Sequence, residues 1–257
     1  MPTDDRPERL DDGMSYQLGE VLNRLQAVNA IDESELVRIE WAWYEVLERS
    51  RRGPATLYRA LSREPAFYAM LVGAIYRPRF PGREEELPAE VDPTARSRAS
   101  QAWRVLHGWH GLPGRAENGD FDELALITWA EVTRAALAIS GHVGVGDSAL
   151  GDVLARTPNT PDGNWPTPGL ASWIEDLRAD DLDDGIVIGI RNSRGMTSRF
   201  PDAGGEQERE LVARYERWAE AAWATPRVAR ILRRVANHYS AEARQEDEHR
   251  DLREFWR

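Results

Sequence analysis

Cysteine, lysine and long apolar runs are all missing from this chain of 257 residues, and each absence excludes a class of protein. Without cysteine there are no disulfide frameworks, no thiolate nucleophiles and no cysteine-ligated zinc. Without lysine, since all 33 basic residues are arginine, Schiff-base chemistry and a phosphate-binding P-loop of the ordinary kind are excluded. No apolar run approaches the roughly 18–20 residues of a membrane span, so no membrane partner is expected.

The first residues, "MPTDDRPERLDDG", are acidic and lack the apolar centre of a signal peptide. We therefore expect a soluble, cytoplasmic protein whose residues 1–14 form a disordered polar segment. The formal net charge of −11 argues against nucleic acid as a partner, because non-specific binding requires basic side chains that neutralise phosphates.

Hydrophobic residues make up 41% of the chain and include ten tryptophans, which is enough for a substantial core. Apolar side chains recur at steps of three and four from Ser15 onward, the period of a helix face. The pattern predicts about ten helices and no convincing strand. We expect one all-α domain over residues 15–257, built from antiparallel helix pairs as a bundle or as an irregular HEAT-like solenoid. The proline-rich loop 77–93 is the best candidate for an internal boundary.

The segment "DDLDDGIVIGI", residues 180–190, is ambiguous because Gly185 and Gly189 weaken a helix and Ile186 to Ile188 suit a strand. No second strand is available to pair with it, so we predict a helix. Its aspartates are the residue type that holds calcium or magnesium. However, the closing glutamate of a calcium loop is missing, and an acidic helix start, stabilised by the helix dipole, is the preferred interpretation.

Candidate catalytic groups do not form a recognisable pattern. His107 and His110 have the spacing of metal ligands on a helix, yet no third ligand accompanies them. The segment "GHVGVGDSALG" resembles a glycine-rich phosphate loop, but it follows a helix and has no lysine. We predict no catalytic residue, no metal and no cofactor, and hence no enzyme.

The stretch "RNSRGMTSRFPDAGGEQERE", residues 191–210, has the composition of an anion site. Arginine forks, together with the free amides that the glycine pair exposes at the positive start of the following helix, are the groups that bind anions. Gly195 is well placed as a left-handed residue at the carboxyl end of the preceding helix. Alternatively, Glu206 and Glu208 neutralise these groups within the chain, and the stretch only connects two helices. The candidate binding residues are Arg191, Arg194, Thr197, Ser198, Arg199, Gly204 and Gly205.

A second group of arginines lies along the last predicted helix. Because the apolar face of that helix is intact, these arginines are expected on its solvent or partner side. Acidic residues of the preceding helix (Glu208, Glu216 and Glu220) are candidate ion-pair partners. The group comprises Arg227, Arg230, Arg233, Arg234 and Arg244.

Four segments carry a resemblance to a family: residues 39–79, 95–114, 159–177 ("NTPDGNWPTPGLASWIEDL") and 191–220 ("RNSRGMTSRFPDAGGEQERELVARYERWAE"). In this order they resemble the C-terminal helical region of very large bacterial proteins. Some of those proteins carry nucleotide-binding or effector domains upstream, and several are encoded in anti-phage defence loci. The resemblance implies either an excised C-terminal part or a free-standing relative that works with a separate partner.

These observations favour a non-enzymatic helical module that recognises another protein, an effector or a larger component of a bacterial anti-phage defence assembly. Tryptophan and arginine, both abundant here, are the residues most enriched in binding hot spots. The alternative is a protein that binds an anionic small molecule or nucleic acid through the arginine-rich loop 191–205.

Overall fold

The computed structural model describes residues 12–28, 30–80, 92–195 and 204–255. These residues form twelve helices. The helices are α1 (Asp12–Ala27), α2 (Glu33–Ala42), α3 (Tyr44–Leu47), α4 (Ala55–Arg63), α5 (Pro65–Ile75), α6 (Pro93–Gly108), α7 (Glu123–Ile139), α8 (Val143–Leu154), α9 (Pro168–Leu177), α10 (Asp180–Ser193), α11 (Glu206–Ala221) and α12 (Pro226–Phe255).

The predicted all-α class is confirmed. Within the described ranges the only extended pairing is one isolated bridge between Arg115 and Phe121. The ambiguous segment with Gly185 and Gly189 is helical and belongs to α10. Among these twelve helices none combines the length and the apolar character that a membrane span requires. Most of the segment predicted to be disordered, residues 1–11, and much of the loop 77–93, residues 81–91, lie outside the described residues. The last three residues of that segment, 12–14, are helical and begin α1.

The chain forms two compact units. The first comprises residues 1–77 and 81–113 and contains α1 to α6, and the second comprises residues 78–80 and 114–257 and contains α7 to α12. In the first unit Leu22, Leu36 and Leu47 form a buried cluster that joins α1, α2 and α3. In the second unit the core is richest along α10 and α12, where Ile186 and Leu232 are fully buried.

A buried ion pair organises the first unit. Nη1 of Arg52 donates to Glu40 Oε1 over 2.5 Å, and the side chains are only 6% and 0% exposed. Arg52 also donates to Gln26 and Thr56, over 3.1 and 3.2 Å. The second oxygen of Glu40 accepts from the amide of Leu57 over 2.8 Å. Several hydrogen bonds thus compensate two charges that would otherwise be costly to bury.

In the second unit α8 and α10 pack backbone against backbone. A methyl group added to Gly185 would lie 2.1 Å from the carbonyl oxygen of Ser148, and one added to Gly189 would lie 2.7 Å from the Cα of Asp152. From the other side, a methyl group on Gly151 would meet the amide of Ile186 at 2.5 Å. The glycines that weaken α10 as an isolated helix are therefore the residues that let a second helix approach.

Four helices share one capping device: a carboxylate from a distant part of the chain accepts a hydrogen bond from an amide at the helix start. Such an acceptor satisfies a free N–H group and places negative charge at the positive end of the helix dipole. The four pairs are Glu40 with the amide of Leu57 at 2.8 Å, Glu123 with Leu170 at 2.7 Å, Glu175 with Arg227 at 2.7 Å, and Asp247 with Gly205 at 2.9 Å.

Candidate functional site

The arginine-rich stretch begins at the carboxyl end of α10. Arg191 lies in the last turn of that helix, and Arg194 follows directly after it. Gly195 has a φ of +66°, and its amide donates to the carbonyl of Asn192 over 3.3 Å. The left-handed conformation predicted for Gly195 at the end of the helix is thereby confirmed.

Arg191 and Arg194 both pair with carboxylates of the same chain. Nη2 of Arg191 donates to Glu242 Oε1 over 2.8 Å, and Nη1 of Arg194 lies 3.4 Å from the other oxygen of Glu242. Arg194 also donates to the fully buried Glu208, and its guanidinium lies 5.3 Å from the ring centre of Tyr239. Two arginines thus face two carboxylates, and the local charge balances.

The glycine pair is covered by α12. A methyl group on Gly204 would lie 2.4 Å from Asp247 Oδ1, and one on Gly205 would lie 2.4 Å from the carbonyl oxygen of Ala243. The amide of Gly205 donates to Asp247 Oδ1 over 2.9 Å. An internal carboxylate therefore occupies the position at the start of α11 that an external anion would take.

Asp247 is held in its ionised form by these contacts. The hydrogen bond from the Gly205 amide, followed by the bond from Arg209 Nη1 at 2.7 Å, lowers the pKa of Asp247. Arg250 Nη1 lies 3.7 Å from the same carboxylate. Since the charged form is favoured, Asp247 acts at neutral pH as a fixed anion between α11 and α12.

An open depression of about 370 Å³ lies beside the paired arginines. Its floor includes Tyr239, whose ring stacks on Tyr215 with centroids 5.7 Å apart. Burial raises the pKa of Tyr215 to about 12 and also raises the pKa of Tyr239, so neither hydroxyl is poised to act as a base at neutral pH. The lining residues are Ile188, Arg191, Asn192, Arg194, Gly195, Tyr239 and Glu242.

The structure brings together part of the predicted binding set. Arg191 and Arg194 line the depression, whereas Gly204 and Gly205 lie against α12 beside Asp247. Thr197, Ser198 and Arg199 lie outside the described residues. In the described residues, the arginines around Tyr239 are therefore neutralised by carboxylates of the same chain.

Three residues of this region were missed by sequence reasoning: Tyr239, Glu242 and Asp247. Tyr239, Ala243 and Asp247 follow each other at steps of four on α12, so a buried helix stripe ends in a carboxylate. This interruption of an apolar stripe by an acidic residue is the signal that identifies Asp247 as a contact residue. The pairing of Glu242 depends on how α10 crosses α12 and has no such signal.

The second arginine group has different partners from those expected. The prediction that these arginines lie on the solvent or partner side is wrong for Arg227, whose side chain is 11% exposed. The acidic start of α10 is present as predicted, and its aspartates, not glutamates of α11, bind the arginines of α12. The pairs are Asp183 with Arg227 at 2.8 Å, Asp180 with Arg227 at 2.6 Å, Asp183 with Arg230 at 3.4 Å, and Asp184 with Arg234 at 2.5 Å.

Other candidate groups have local structural contacts. The ring of His107 stacks on Trp103 with centroids 3.8 Å apart, and its Nδ1 lies 2.9 Å from the carbonyl of Trp103. His110 is exposed. In the described ranges no three histidine or acidic side chains come together as metal ligands. The glycine-rich segment forms α8, where Gly151 contacts α10.

The outer side of α7 is a distinctive surface of the second unit. Leu124, Val132 and Ile139 are 72%, 49% and 84% exposed, although the inner side of the same helix is buried. We define the α7 outer face by the eight exposed positions of this helix: Leu124, Ala125, Thr128, Glu131, Val132, Ala135, Ala138 and Ile139. Glu131 is its only charged member and accepts from Trp173 Nε1 over 3.1 Å.

Fold and surface together define an all-α protein whose described polar groups are largely engaged with one another and whose α7 outer face is apolar and exposed. The chain matches no protein-family model, no curated protein and no solved structure.

Proposed function

We propose that this chain is a non-enzymatic interaction module that binds another protein through the α7 outer face. The observation that carries the proposal is the exposure of Leu124, Val132 and Ile139 along one side of a single helix. Apolar side chains exposed singly are ordinary, but these three lie on one helix face together with the exposed Ala125, Ala135 and Ala138, and an apolar face of this kind is typical of a contact surface.

The composition of this face supports the proposal. Seven of its eight positions carry no charge, whereas 30% of the whole chain is charged. Recognition by a groove that receives an apolar helix uses such a row of anchors at helical spacing. A surface selected only for solubility would carry more charge.

The engaged arginines also support binding of a protein over binding of an anion. Arg194 is committed to Glu208 and Glu242, and the start of α11 already holds Asp247. An external anion would have to displace these internal carboxylates and repel the negative charge that remains.

The class of partner follows from the resemblance to helical regions of large bacterial defence proteins. We propose an effector or a larger defence component as the partner, in the bacterial cytoplasm. The module would act as an adaptor or sensor.

Co-purification from native cells tests the proposal. The full chain is compared with the double variant Leu124→Gln/Ile139→Gln and with a matched control, Trp223→Gln/Leu252→Gln. Trp223 and Leu252 are 82% and 57% exposed and lie on other elements. We expect a partner that binds the wild type and the control but not the α7 variant, and that forms a complex again from purified components. Equal capture by all three chains, or no partner, would refute it.

A second candidate function rests on the depression of about 370 Å³ beside α10. Arg191 and Arg194 line this space. Guanidinium groups offer the planar set of donors that carboxylates and phosphates bind, in an anionic small molecule as in a nucleic acid. For this candidate an anion would replace Glu242 as the partner of Arg191.

Thermal-shift measurements with nucleotides and oligonucleotides test the second candidate. An anion that binds here raises the melting temperature of the wild type and of the control Arg234→Ala, but not of Arg191→Ala. Arg234 is a matched control because its exposed fraction, 42%, equals that of Arg191 and it also pairs with one carboxylate. Absence of any shift with the wild type would remove this candidate.

A further inference from the structure

Helix α1 is attached to the first unit through a small apolar contact. Of the side chains of α1 that the structure describes, only Leu22 belongs to the buried apolar core, whereas α12 contributes eight. Leu22 packs against Leu36 of α2 and Leu47 of α3, and the partly buried Leu18 and Leu25 border the same cluster. An element that is held by so few buried contacts can open while the rest of a protein stays folded.

The polar contacts of α1 can be broken without stranding a buried charge. Nε of Arg52 donates to Asn23 over 2.8 Å, and its Nη2 donates to Gln26 over 3.1 Å. When α1 leaves, water can take the place of these two acceptors, and Arg52 keeps its ion pair with Glu40 and its bond to Thr56. The large penalty for breaking a buried ion pair, an uncompensated charge, is therefore avoided.

The backbone of α1 lies against the connection between α3 and α4 without interlocking with it. A methyl group added to Gly19 would lie 3.6 Å from the Cβ of Arg52 and 4.0 Å from the Cβ of Ser50. These are ordinary van der Waals distances, whereas Gly185 and Gly189 of α10 leave no room for a methyl group against the backbone of α8. At Gly19, then, no steric interlock opposes the departure of α1.

The contacts of α1 also define what the vacated position can hold. Three leucines at steps of four and three supply its apolar anchors, and Asn23 and Gln26 supply acceptors for Arg52. An amphipathic helix with anchors at this spacing is the ligand of a helix-binding groove. We propose that α1 is a detachable helix that occludes a groove on α2 and α3, and that the vacated groove receives an amphipathic helix of a partner protein with the same pattern.

This proposal goes beyond the binding of an effector through the α7 outer face, because it concerns a different surface in the other unit. Docked α1 has the advantage of a high effective concentration, since it is part of the same chain. We expect α1 to be detached in roughly 0.1–10% of molecules, the range of a minor state that a ligand can select. A partner helix therefore binds by competing with α1, and α1 sets the threshold for that binding.

A reversible disulfide tests whether α1 detaches. In Gly19→Cys/Ser50→Cys the two Cβ atoms lie 4.0 Å apart, within the roughly 3.5–4.5 Å that a disulfide spans. The chain has no other cysteine, so the reduced and oxidised forms differ only in this bond. By hydrogen exchange, we expect the amides of α1 in the reduced form to exchange at least about tenfold faster than those of α5 in the same unit. Oxidation should slow α1 at least about tenfold and leave α5 unchanged.

A peptide of residues 12–28 tests the groove with the helix that it is known to hold. The chain with Leu22→Glu loses the buried anchor of its own α1 and should bind the labelled peptide at least about tenfold more tightly than the wild type, as followed by fluorescence anisotropy. The matched control is a chain with Val21→Glu, since Val21 is 51% exposed, and it should bind as the wild type does. The oxidised disulfide variant should bind no peptide up to about 300 μM.

Each outcome supports or overturns the proposal. Equal exchange rates of α1 and α5 in the reduced form, with equal slowing on oxidation, would mean that α1 leaves only when the whole unit unfolds. Equal binding of the peptide by the oxidised and reduced forms would place the peptide outside the groove. If Leu22→Glu does not fold, the comparison of oxidised with reduced protein still decides. Failure here does not affect the α7 proposal, because the Leu124→Gln/Ile139→Gln chain keeps an intact α1.

Discussion

Helices α7 and α10 belong to the same unit and are both rich in small and apolar residues, but their small residues have opposite environments. The glycines of α10 contact the backbone of α8, with Gly185 directly against Ser148. The small residues of the α7 outer face, such as Ala135, meet solvent. Residue type alone therefore does not decide burial. A small residue becomes buried where a second helix of complementary shape is present, and α7 lacks such a helix on its outer side within the described chain.

The two helices also differ at their polar positions. At its start α10 pairs Asp183 with Arg227, and after its end Arg194 pairs with Glu208. On the α7 outer face one carboxylate, Glu131, is bonded to a tryptophan. Substitutions in α10 should therefore change the stability of the fold, whereas substitutions on the α7 outer face should change its contacts with other molecules.

The largest expected difference comes from placing leucine at one position in each helix. Gly185→Leu should reduce the free energy of unfolding by about 4 kcal/mol, since the added side chain meets the backbone of α8. Ala135→Leu, on the exposed face, should change it by less than about 0.5 kcal/mol. Urea titration monitored by circular dichroism at micromolar concentration measures both. Similar losses in the two variants would remove the contrast between the helices.

The arginines at the end of α10 give the next contrast. Arg194→Ala leaves the fully buried Glu208 without its arginine and should cost about 3–5 kcal/mol. Arg191→Ala removes a pair whose side chains are 42% and 33% exposed and should cost less than about 1 kcal/mol, because solvent screens such pairs. Thermal denaturation at neutral pH compares the two variants. Equal melting temperatures would mean that burial of Glu208 does not determine the cost.

The fold class could be predicted from the sequence because the helical period depends only on residues that are close together in the chain, as in α11 and α12. The left-handed conformation of Gly195 and the acidic start of α10 could also be predicted, because each depends on a few neighbouring residues. The carboxylates that pair with Arg194 and Arg227 could not be predicted. They depend on which helices cross, and nothing local to α10 specifies that its aspartates meet α12.

The same limit applies to the candidate site. The sequence identified the residues that an anion would need but not the carboxylates that neutralise them. Asp247 lies 42 residues after Gly205, and only the packing of α11 on α12 brings the two together. The exposure of Leu124 and Ile139 was hidden for the same reason, since an apolar residue on a helix is equally compatible with burial and with contact to a partner.

Alkaline pH tests the packing around the aromatic floor of the depression. Burial raises the pKa of Tyr215 from 10 to about 12, so this group stabilises the fold fully below pH 10 and loses that contribution as the pH rises toward 12. Tyr215→Phe should make the decline in stability above pH 10 shallower, by about 2 kcal/mol at pH 12. The matched control is Tyr16→Phe, since Tyr16 is 62% exposed. Urea titrations between pH 10 and pH 12 measure the free energy of unfolding of the wild type and the two variants. Parallel declines in the three proteins would contradict the burial of Tyr215.

The smallest expected effect concerns the carboxylate at the start of α11, and acid pH reveals it. The amide of Gly205 and Arg209 lower the pKa of Asp247, so its contribution is present above about pH 3.8 and disappears as the pH falls through the lowered pKa. Asp247→Asn should therefore melt below the wild type at neutral pH, and the two melting temperatures should converge as the pH falls below 4. The control is Asp251→Asn, since Asp251 is an exposed aspartate of the same helix that accepts a hydrogen bond from its neighbour Arg250. Its melting temperature should stay parallel to that of the wild type. The opposite result would be that the melting temperatures of wild type and Asp251→Asn converge at low pH while those of wild type and Asp247→Asn do not. It would show that the start of α11 does not depend on the carboxylate of Asp247, and an external anion would again be a candidate for that position.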